Sequence, residues 1–153
     1  MSESTDRIER ELLLKAPRSR VWRAVSTAEE FGAWFGLNLA GKQFVAGESV
    51  SSNITFEGWE HLVCEMQIDR VEPESYFSYR WHPYAVDPAV DYSQEPTTLV
   101  EIVLEDADGG TRLRLVESGF DQIPVERRAE AFRMNSGGWT AQMESIAKYV
   151  DET

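Results

Sequence analysis

The chain has 153 residues, of which 42% are hydrophobic, and carries 15 Lys and Arg against 27 Asp and Glu, a formal net charge of −12. A chain of this length fits one domain and buries roughly 70% of its unfolded surface, enough for a core without disulfides or structural metal. The negative charge disfavours nucleic acid and anionic lipid as partners, because no Lys/Arg cluster offsets it. We expect a single domain over residues 1–153, with a flexible N-terminal tail over residues 1–6.

Two further features bear on location. The N-terminal segment is polar and charged, and no apolar run approaches the roughly 20 residues that a membrane span needs. The single cysteine, Cys64, excludes an internal disulfide and fits a reducing compartment. We therefore expect a cytoplasmic protein with no membrane insertion.

The first quarter of the chain predicts one strand followed by two short helices. Residues 8–14 mix apolar and charged side chains in a short run that Pro17 closes, which favours an opening strand and a helix that begins near this proline. The apolar positions of residues 18–26 recur at helical spacing. Thr27 and Glu30 have the spacing of a capping box and predict the start of the second helix.

The middle of the chain predicts antiparallel strands. Four runs alternate with the period of two that a strand requires, at Val50, Ser52, Ile54 and Phe56, at Leu62, Cys64, Met66 and Ile68, at Phe77, Tyr79 and Trp81, and at Val100, Ile102 and Leu104. A turn at residues 107–110 joins the last run to Leu113 and Leu115 as a hairpin. Because no helical pattern interrupts these runs, we expect an antiparallel sheet with one face against the core.

The last segment predicts one long helix of about seven turns. Its apolar stripe is spaced alternately four and three residues apart, at Val125, Ala129, Phe132, Ser136, Trp139, Met143, Ile146 and Val150. Gly137 and Gly138 lie in its middle, where each glycine costs roughly 1 kcal/mol relative to alanine. We expect a small side chain or a bend to be favoured there, either by close packing on the sheet or by a ligand beneath the helix.

Six short segments, in their order and spacing, resemble one known family. They lie at residues 8–17, 21–25, 34–35, 110–113, 117–120 and 138–139. The chain resembles the SRPBCC superfamily, and specifically the family named for the C-terminal domain of the heat-shock protein 90 ATPase activator. The resemblance implies an α+β, helix-grip fold (START-like, birch-pollen-allergen-like). In this fold a curved antiparallel β-sheet wraps around a long C-terminal α-helix, with two short helices after the first strand.

The same resemblance implies a cavity between the sheet and the long helix that often holds an apolar or amphipathic molecule. We favour a small-molecule binding protein whose ligand is lipid-like or polycyclic and aromatic, with no cofactor. One alternative is a co-chaperone-like interaction module of the stress response, with a chaperone as its protein partner. The other is a polyketide cyclase/dehydratase-like enzyme. We favour a binding protein without catalysis over this enzyme. The eukaryotic activator also has an N-terminal domain for which 153 residues leave no room.

Large apolar side chains on predicted inward faces or at the pocket mouth are the candidate ligand-binding residues. They are Trp34, Phe35, Phe56, Met66, Tyr79, Trp81, Phe120, Phe132, Trp139 and Met143. Packing in the core is the ordinary explanation for any one such ring. Trp34, Phe35 and Phe120 are the exceptions, because they lie in short-helix or loop segments near the expected entrance.

Glu117 is the one catalytic candidate. It continues the alternation of Leu113 and Leu115 and so points inward, where a carboxylate can accept a proton or orient a hydrogen-bond partner. The alternative is a solvated strand end, or an ion pair with an arginine such as Arg80 or Arg133.

No metal site is expected. The two histidines, His61 and His82, lack the ligand spacing of a zinc site with Cys64. We expect His82 to be a surface histidine, with a role near the pocket rim as the alternative, and Cys64 to be a buried, inert thiol. Motifs of serine hydrolases, nucleotide-binding proteins and metalloproteases are missing, so any catalysis would be general acid/base chemistry in the pocket.

Overall fold

Six strands and three α-helices follow one another in the computed structural model, which describes residues 6–87 and 89–152. The order is β1 (Arg7–Leu14), α1 (Arg18–Ser26), α2 (Ala28–Phe35), β2 (Ser49–Asn53), β3 (Val63–Glu72), β4 (Tyr76–Trp81), β5 (Thr98–Ala107), β6 (Gly110–Ser118), a short 3₁₀ helix (Phe120–Gln122) and α3 (Val125–Glu152). Apart from Asp6, the tail predicted for residues 1–6 lies outside the described residues. None of the described helices is long and apolar enough to cross a membrane.

The strands form one antiparallel sheet in the order β1-β6-β5-β4-β3-β2. Alternate residues are buried from Thr98 to Leu104 in β5 and from Thr111 to Glu117 in β6, as the period of two predicts for a sheet with one face on the core. The register shifts between Ile68 and Arg70, a β-bulge of the kind that bends a sheet. The buried face of α3 packs against this sheet, which confirms the predicted helix-grip fold.

The two short helices meet at Thr27, which ends α1 and begins α2. The predicted capping-box hydrogen bond is not formed: the Thr27 side chain makes no capping hydrogen bond at the start of α2. Glu30 instead receives ion pairs from Arg20 and Arg23, each at 2.9 Å. These ion pairs take up the carboxylate that a capping box would use.

Gly36 ends α2 and turns the chain toward the sheet edge. Its φ of 106° lies in the left-handed region, and a Cβ there would come within 2.7 Å of the Phe56 ring. Phe56 itself lies beyond β2 and is 53% exposed, although the alternation predicted it in a strand. The reason is that β2 ends at Asn53, after which the backbone of Ile54 and Thr55 bonds to the segment after α2.

The predicted apolar stripe of α3 agrees with the observed burial in the second half of the helix and disagrees with it at the start. Trp139, Met143, Ile146 and Val150 are buried, but Val125 is 71% exposed at the first turn. Gly137 and Gly138 face outward, and a Cβ on either would meet nothing within 4 Å. Both expectations for the glycines, close packing on the sheet and a ligand beneath the helix, are therefore wrong.

Candidate functional site

A cavity of about 540 Å³ lies where β4 ends, between three loop segments and the middle of α3. The β4–β5 loop (residues 82–97) forms one side of it. The lining residues are Phe35, Gly36, Leu37, Ile54, Phe56, Trp59, Leu62, Val63, Cys64, Glu65, Trp81, His82, Tyr84, Ala85, Val86, Tyr92, Ser93, Met134 and Asn135. The cavity thus lies at one end of the sheet, against the first half of the gripped helix.

The cavity wall is aromatic and aliphatic over most of its area, with little charge. Phe35 and Trp81 meet inside it with ring centroids 5.8 Å apart, while Phe56 and Trp59 are half exposed at its mouth. Among the described residues no lysine or arginine lines the cavity, and Glu65, on the exposed side, is its one carboxylate. Such a wall suits an uncharged apolar molecule.

The β4–β5 loop is fastened to the first turn of α3 by Arg127. Its guanidinium donates to the Glu95 carboxylate at 2.8 Å and to the Pro83 carbonyl at 2.7 Å, and it lies 4.8 Å from the centre of the Tyr92 ring. Tyr84 has a φ of 50°, in the left-handed region that a non-glycine residue rarely occupies. These contacts fix the backbone that carries a third of the cavity wall.

Directly behind the wall lies a buried carboxylate, Glu117, with no exposed surface. Its Oε1 accepts hydrogen bonds from Trp139 Nε1 at 2.8 Å and Asn135 Nδ2 at 3.0 Å. Its Oε2 accepts from Trp81 Nε1 at 2.7 Å and Thr98 Oγ1 at 2.5 Å. We refer to these five residues as the Glu117 cluster, which joins three strands to α3.

Glu117 points inward, as its alternation with Leu113 and Leu115 predicts. Within the described part of the chain no cation pairs with it: Arg80 and Arg133 are exposed and form no ion pair with Glu117, so a solvated or arginine-paired carboxylate is not what the structure shows. Both oxygens are occupied by donors, and the side chain is not part of the cavity wall. A catalytic role for Glu117 stays a prediction.

The predicted ligand-binding residues divide into two groups. Phe35, Phe56 and Trp81 line the cavity. The others lie in the core and do not contribute to the wall: Trp34, Met66, Tyr79, Phe120, Phe132, Trp139 and Met143. Of the three rings expected near the entrance, only Phe35 is there, since Trp34 donates to the Ala24 carbonyl at 2.9 Å and Phe120 packs edge-on against Phe132.

Three polar side chains beside the cavity have distinct surroundings. Burial, with the nearby charge of Glu65, raises the pKa of the Cys64 thiol to about 12, so it stays protonated at neutral pH. His82 is half-buried on the wall and donates Nε2–H to the Glu95 carbonyl at 3.1 Å, so it is not the surface histidine expected. Burial also raises the pKa of Tyr79 well above its usual value. No group of His, Cys, Asp or Glu suited to a metal ion occurs among the described residues.

Several wall residues escape the sequence interpretation. Trp59, Tyr84 and Tyr92 lie in loops whose path depends on the whole fold. Asn135 carries a usable signal, because it lies four residues before the predicted inward-facing Trp139 and so shares its helix face. A polar residue on an apolar helix face requires a partner, and Glu117 is that partner.

Solved structures of low sequence identity share this fold. Protein MLL2253 from Mesorhizobium loti is 23% identical, with a TM-score of 0.72 over 96% of this chain and 98% of that chain. DynU16, from the dynemicin biosynthetic locus, is 21% identical, with a TM-score of 0.71 over 95% of this chain and 47% of its own, so this chain spans about half of it. The Aha1 dimer from Colwellia psychrerythraea is 14% identical, with a TM-score of 0.70 over 94% and 95%. No curated protein matches the sequence.

The sequence also matches the profile of one family, described as activator of Hsp90 ATPase homolog 1-like protein. The match covers residues 15–151, from the end of β1 to the end of α3, and so includes all of the cavity wall and the Glu117 cluster. This confirms the family resemblance inferred from the six short segments. The chain belongs to the family of activator of Hsp90 ATPase homolog 1-like proteins.

Proposed function

We propose that this protein binds a neutral, largely apolar small molecule, lipid-like or polycyclic and aromatic, in the cavity at the end of the sheet. The observation that carries the proposal is the aromatic and aliphatic cavity of about 540 Å³. Sites for drug-sized ligands have volumes of roughly 300–1,000 Å³ and apolar walls with few polar groups. The family supports a ligand-binding or Aha1-like module in general.

The charge distribution supports a neutral ligand. The wall contains no lysine or arginine among the described residues, and the whole chain has a formal net charge of −12. A carboxylate or phosphate entering this cavity would lose its hydration without gaining a counter-ion. Free fatty acids and phosphorylated compounds are therefore poor candidates.

The mouth of the cavity supports a ligand with flat apolar surface. Phe56 is 53% exposed and Trp59 is 40% exposed, so two large rings stand partly in water at the entrance. Aromatic rings pack well against flat or aliphatic surfaces, and a bound molecule would remove this area from water.

Native mass spectrometry of the purified protein, with organic extraction of anything it carries, is the first test. A matched pair of variants, Ala85→Trp on the cavity wall and Ala89→Trp on the exposed part of the same loop, ties binding to the cavity. Titration with the neutral fluorescent dye N-phenyl-1-naphthylamine should show Ala85→Trp weakened by at least about tenfold, or 1.4 kcal/mol, and Ala89→Trp unchanged. Equal affinity in all three proteins would contradict the proposal.

Family membership supports a second candidate, stimulation of an Hsp90-type ATPase. It predicts faster ATP turnover by the chaperone when this protein is added, at concentrations that reach saturation. Unchanged turnover would remove this candidate and leave the small-molecule proposal intact.

A further inference from the structure

We propose that Asn135 presents its side-chain carbonyl to the cavity as a fixed hydrogen-bond acceptor, and that Glu117 holds it in this orientation. The site would then select ligands with a hydroxyl or N–H group at the end that reaches α3. This inference rests on the proposed function and adds a ligand class to it. Asn135 would act as a specificity-determining residue and Glu117 as a positioning residue.

The orientation of the Asn135 amide follows from its neighbour. An asparagine side chain can offer either its NH₂ or its oxygen to a partner, but an ionised carboxylate only accepts. Asn135 Nδ2 lies 3.0 Å and 3.2 Å from the two oxygens of Glu117. A flipped amide would place one oxygen against another at this distance, so the NH₂ group must face Glu117.

The oxygens of Glu117 are themselves held as acceptors. Trp81 and Trp139 donate to them through indole N–H groups, which have no acceptor capacity. One indole therefore donates to each oxygen, and both oxygens act as hydrogen-bond acceptors in the cluster. The Asn135 NH₂ group thus lies toward Glu117, which is not part of the cavity wall.

The Asn135 oxygen is left for the cavity. Asn135 is half-buried and lines the cavity wall, whereas Glu117 is not a wall residue. No described residue donates a hydrogen bond to Asn135 Oδ1. An acceptor in an apolar pocket gains from a ligand that donates to it and is left unpaired by a ligand that cannot.

Two neutral compounds of similar shape test this, 2-naphthol, which has a hydroxyl donor, and 2-methoxynaphthalene, which has none. We define selectivity as the ratio of their dissociation constants, measured by calorimetry or fluorescence. Asn135→Leu should reduce the selectivity about five- to tenfold and leave 2-methoxynaphthalene binding within about twofold of wild type. The control Glu130→Gln, which changes an exposed carboxylate of α3 that does not line the cavity, should leave the selectivity unchanged.

The positioning role has its own comparison. Glu117→Gln should reduce the selectivity as Asn135→Leu does, because a glutamine lets the Asn135 amide flip. Glu101→Gln should not, since Glu101 is a half-buried carboxylate that accepts from Tyr76 and lies away from the cavity. If Glu117→Gln does not fold, the Asn135→Leu result still decides whether the acceptor exists.

Each outcome supports or overturns the inference. Unchanged selectivity in Asn135→Leu, with both compounds still binding, overturns it and leaves the proposed function standing. Failure of both compounds, and of the naphthylamine dye, to bind wild type overturns the proposed function and the inference together. A loss of selectivity confined to the Asn135 and Glu117 variants supports both.

Discussion

Replacing Glu117 by glutamine should destabilise the protein even though the shape of the side chain hardly changes. The four neighbours of Glu117 all donate to it: Trp81, Thr98, Asn135 and Trp139. A glutamine keeps one acceptor oxygen and introduces an NH₂ group that can only donate. The Thr98 hydroxyl and the Asn135 amide can reorient, but the indoles cannot. In either orientation of the glutamine, one indole N–H therefore loses its acceptor.

The cost follows from that single unpaired donor. A buried donor left without a partner costs about 1–3 kcal/mol, and the remaining hydrogen bonds lose their charge assistance. The neutral amide is easier to bury than the carboxylate, which offsets part of this loss. We expect Glu117→Gln to lower the free energy of unfolding by about 2 kcal/mol. For a chain of this length that corresponds to a Tm lower by about 4–8 °C.

Urea unfolding followed by far-ultraviolet circular dichroism measures the difference. Glu101→Gln is the control, because its half-buried carboxylate accepts one hydrogen bond, from Tyr76 at 2.6 Å, and its loss should cost less than about 1 kcal/mol. A Glu117→Gln protein as stable as wild type, with the same dependence on urea, would refute the argument that both indoles need the carboxylate.

Two other predictions concern single sites. Gly137→Ala and Gly138→Ala should each stabilise the protein by about 1 kcal/mol in the same assay, because an added Cβ meets open space. Gly32→Ala should destabilise it, because its Cβ would clash with the backbone oxygen of Leu37. The pKa of Cys64 is about 12 in the folded chain and about 9 in the unfolded chain, so folding favours the protonated thiol. The contribution of this thiol to the free energy of unfolding is therefore complete below about pH 9 and is lost as the pH rises toward about 12. Between about pH 8 and about pH 10, the free energy of unfolding of wild type should therefore fall by about 1 kcal/mol relative to that of Cys64→Ala. Parallel curves of unfolding free energy against pH for the two proteins would contradict this.

The secondary structure could be predicted because it depends on neighbours along the chain. The period of two in β5 and β6 and the spacing of the residues after Trp139 are local patterns, and each placed its element correctly. Even the inward direction of Glu117 follows from its strand alone.

The site could not be predicted in the same way, because its parts are distant in sequence. The donors to Glu117 come from two other strands and from α3, as far as 36 residues away. A predicted inward face also does not tell core from cavity, so Tyr79 and Trp81 share a face while only Trp81 reaches the wall. Whether an inward-facing residue reaches the cavity depends on where the sheet ends and its loops begin, and that boundary depends on the whole fold.

The Glu117 cluster also brings two indoles together as a pair of chromophores. Trp81 and Trp139 lie with ring centroids 5.9 Å apart and planes inclined at 34°, one on the sheet and one on the long helix. At this separation their electronic transitions couple, so the near-ultraviolet circular dichroism of the folded chain reflects how the sheet meets the helix. Trp81 is also on the cavity wall, so we expect a molecule bound there to change the optical signal of the pair.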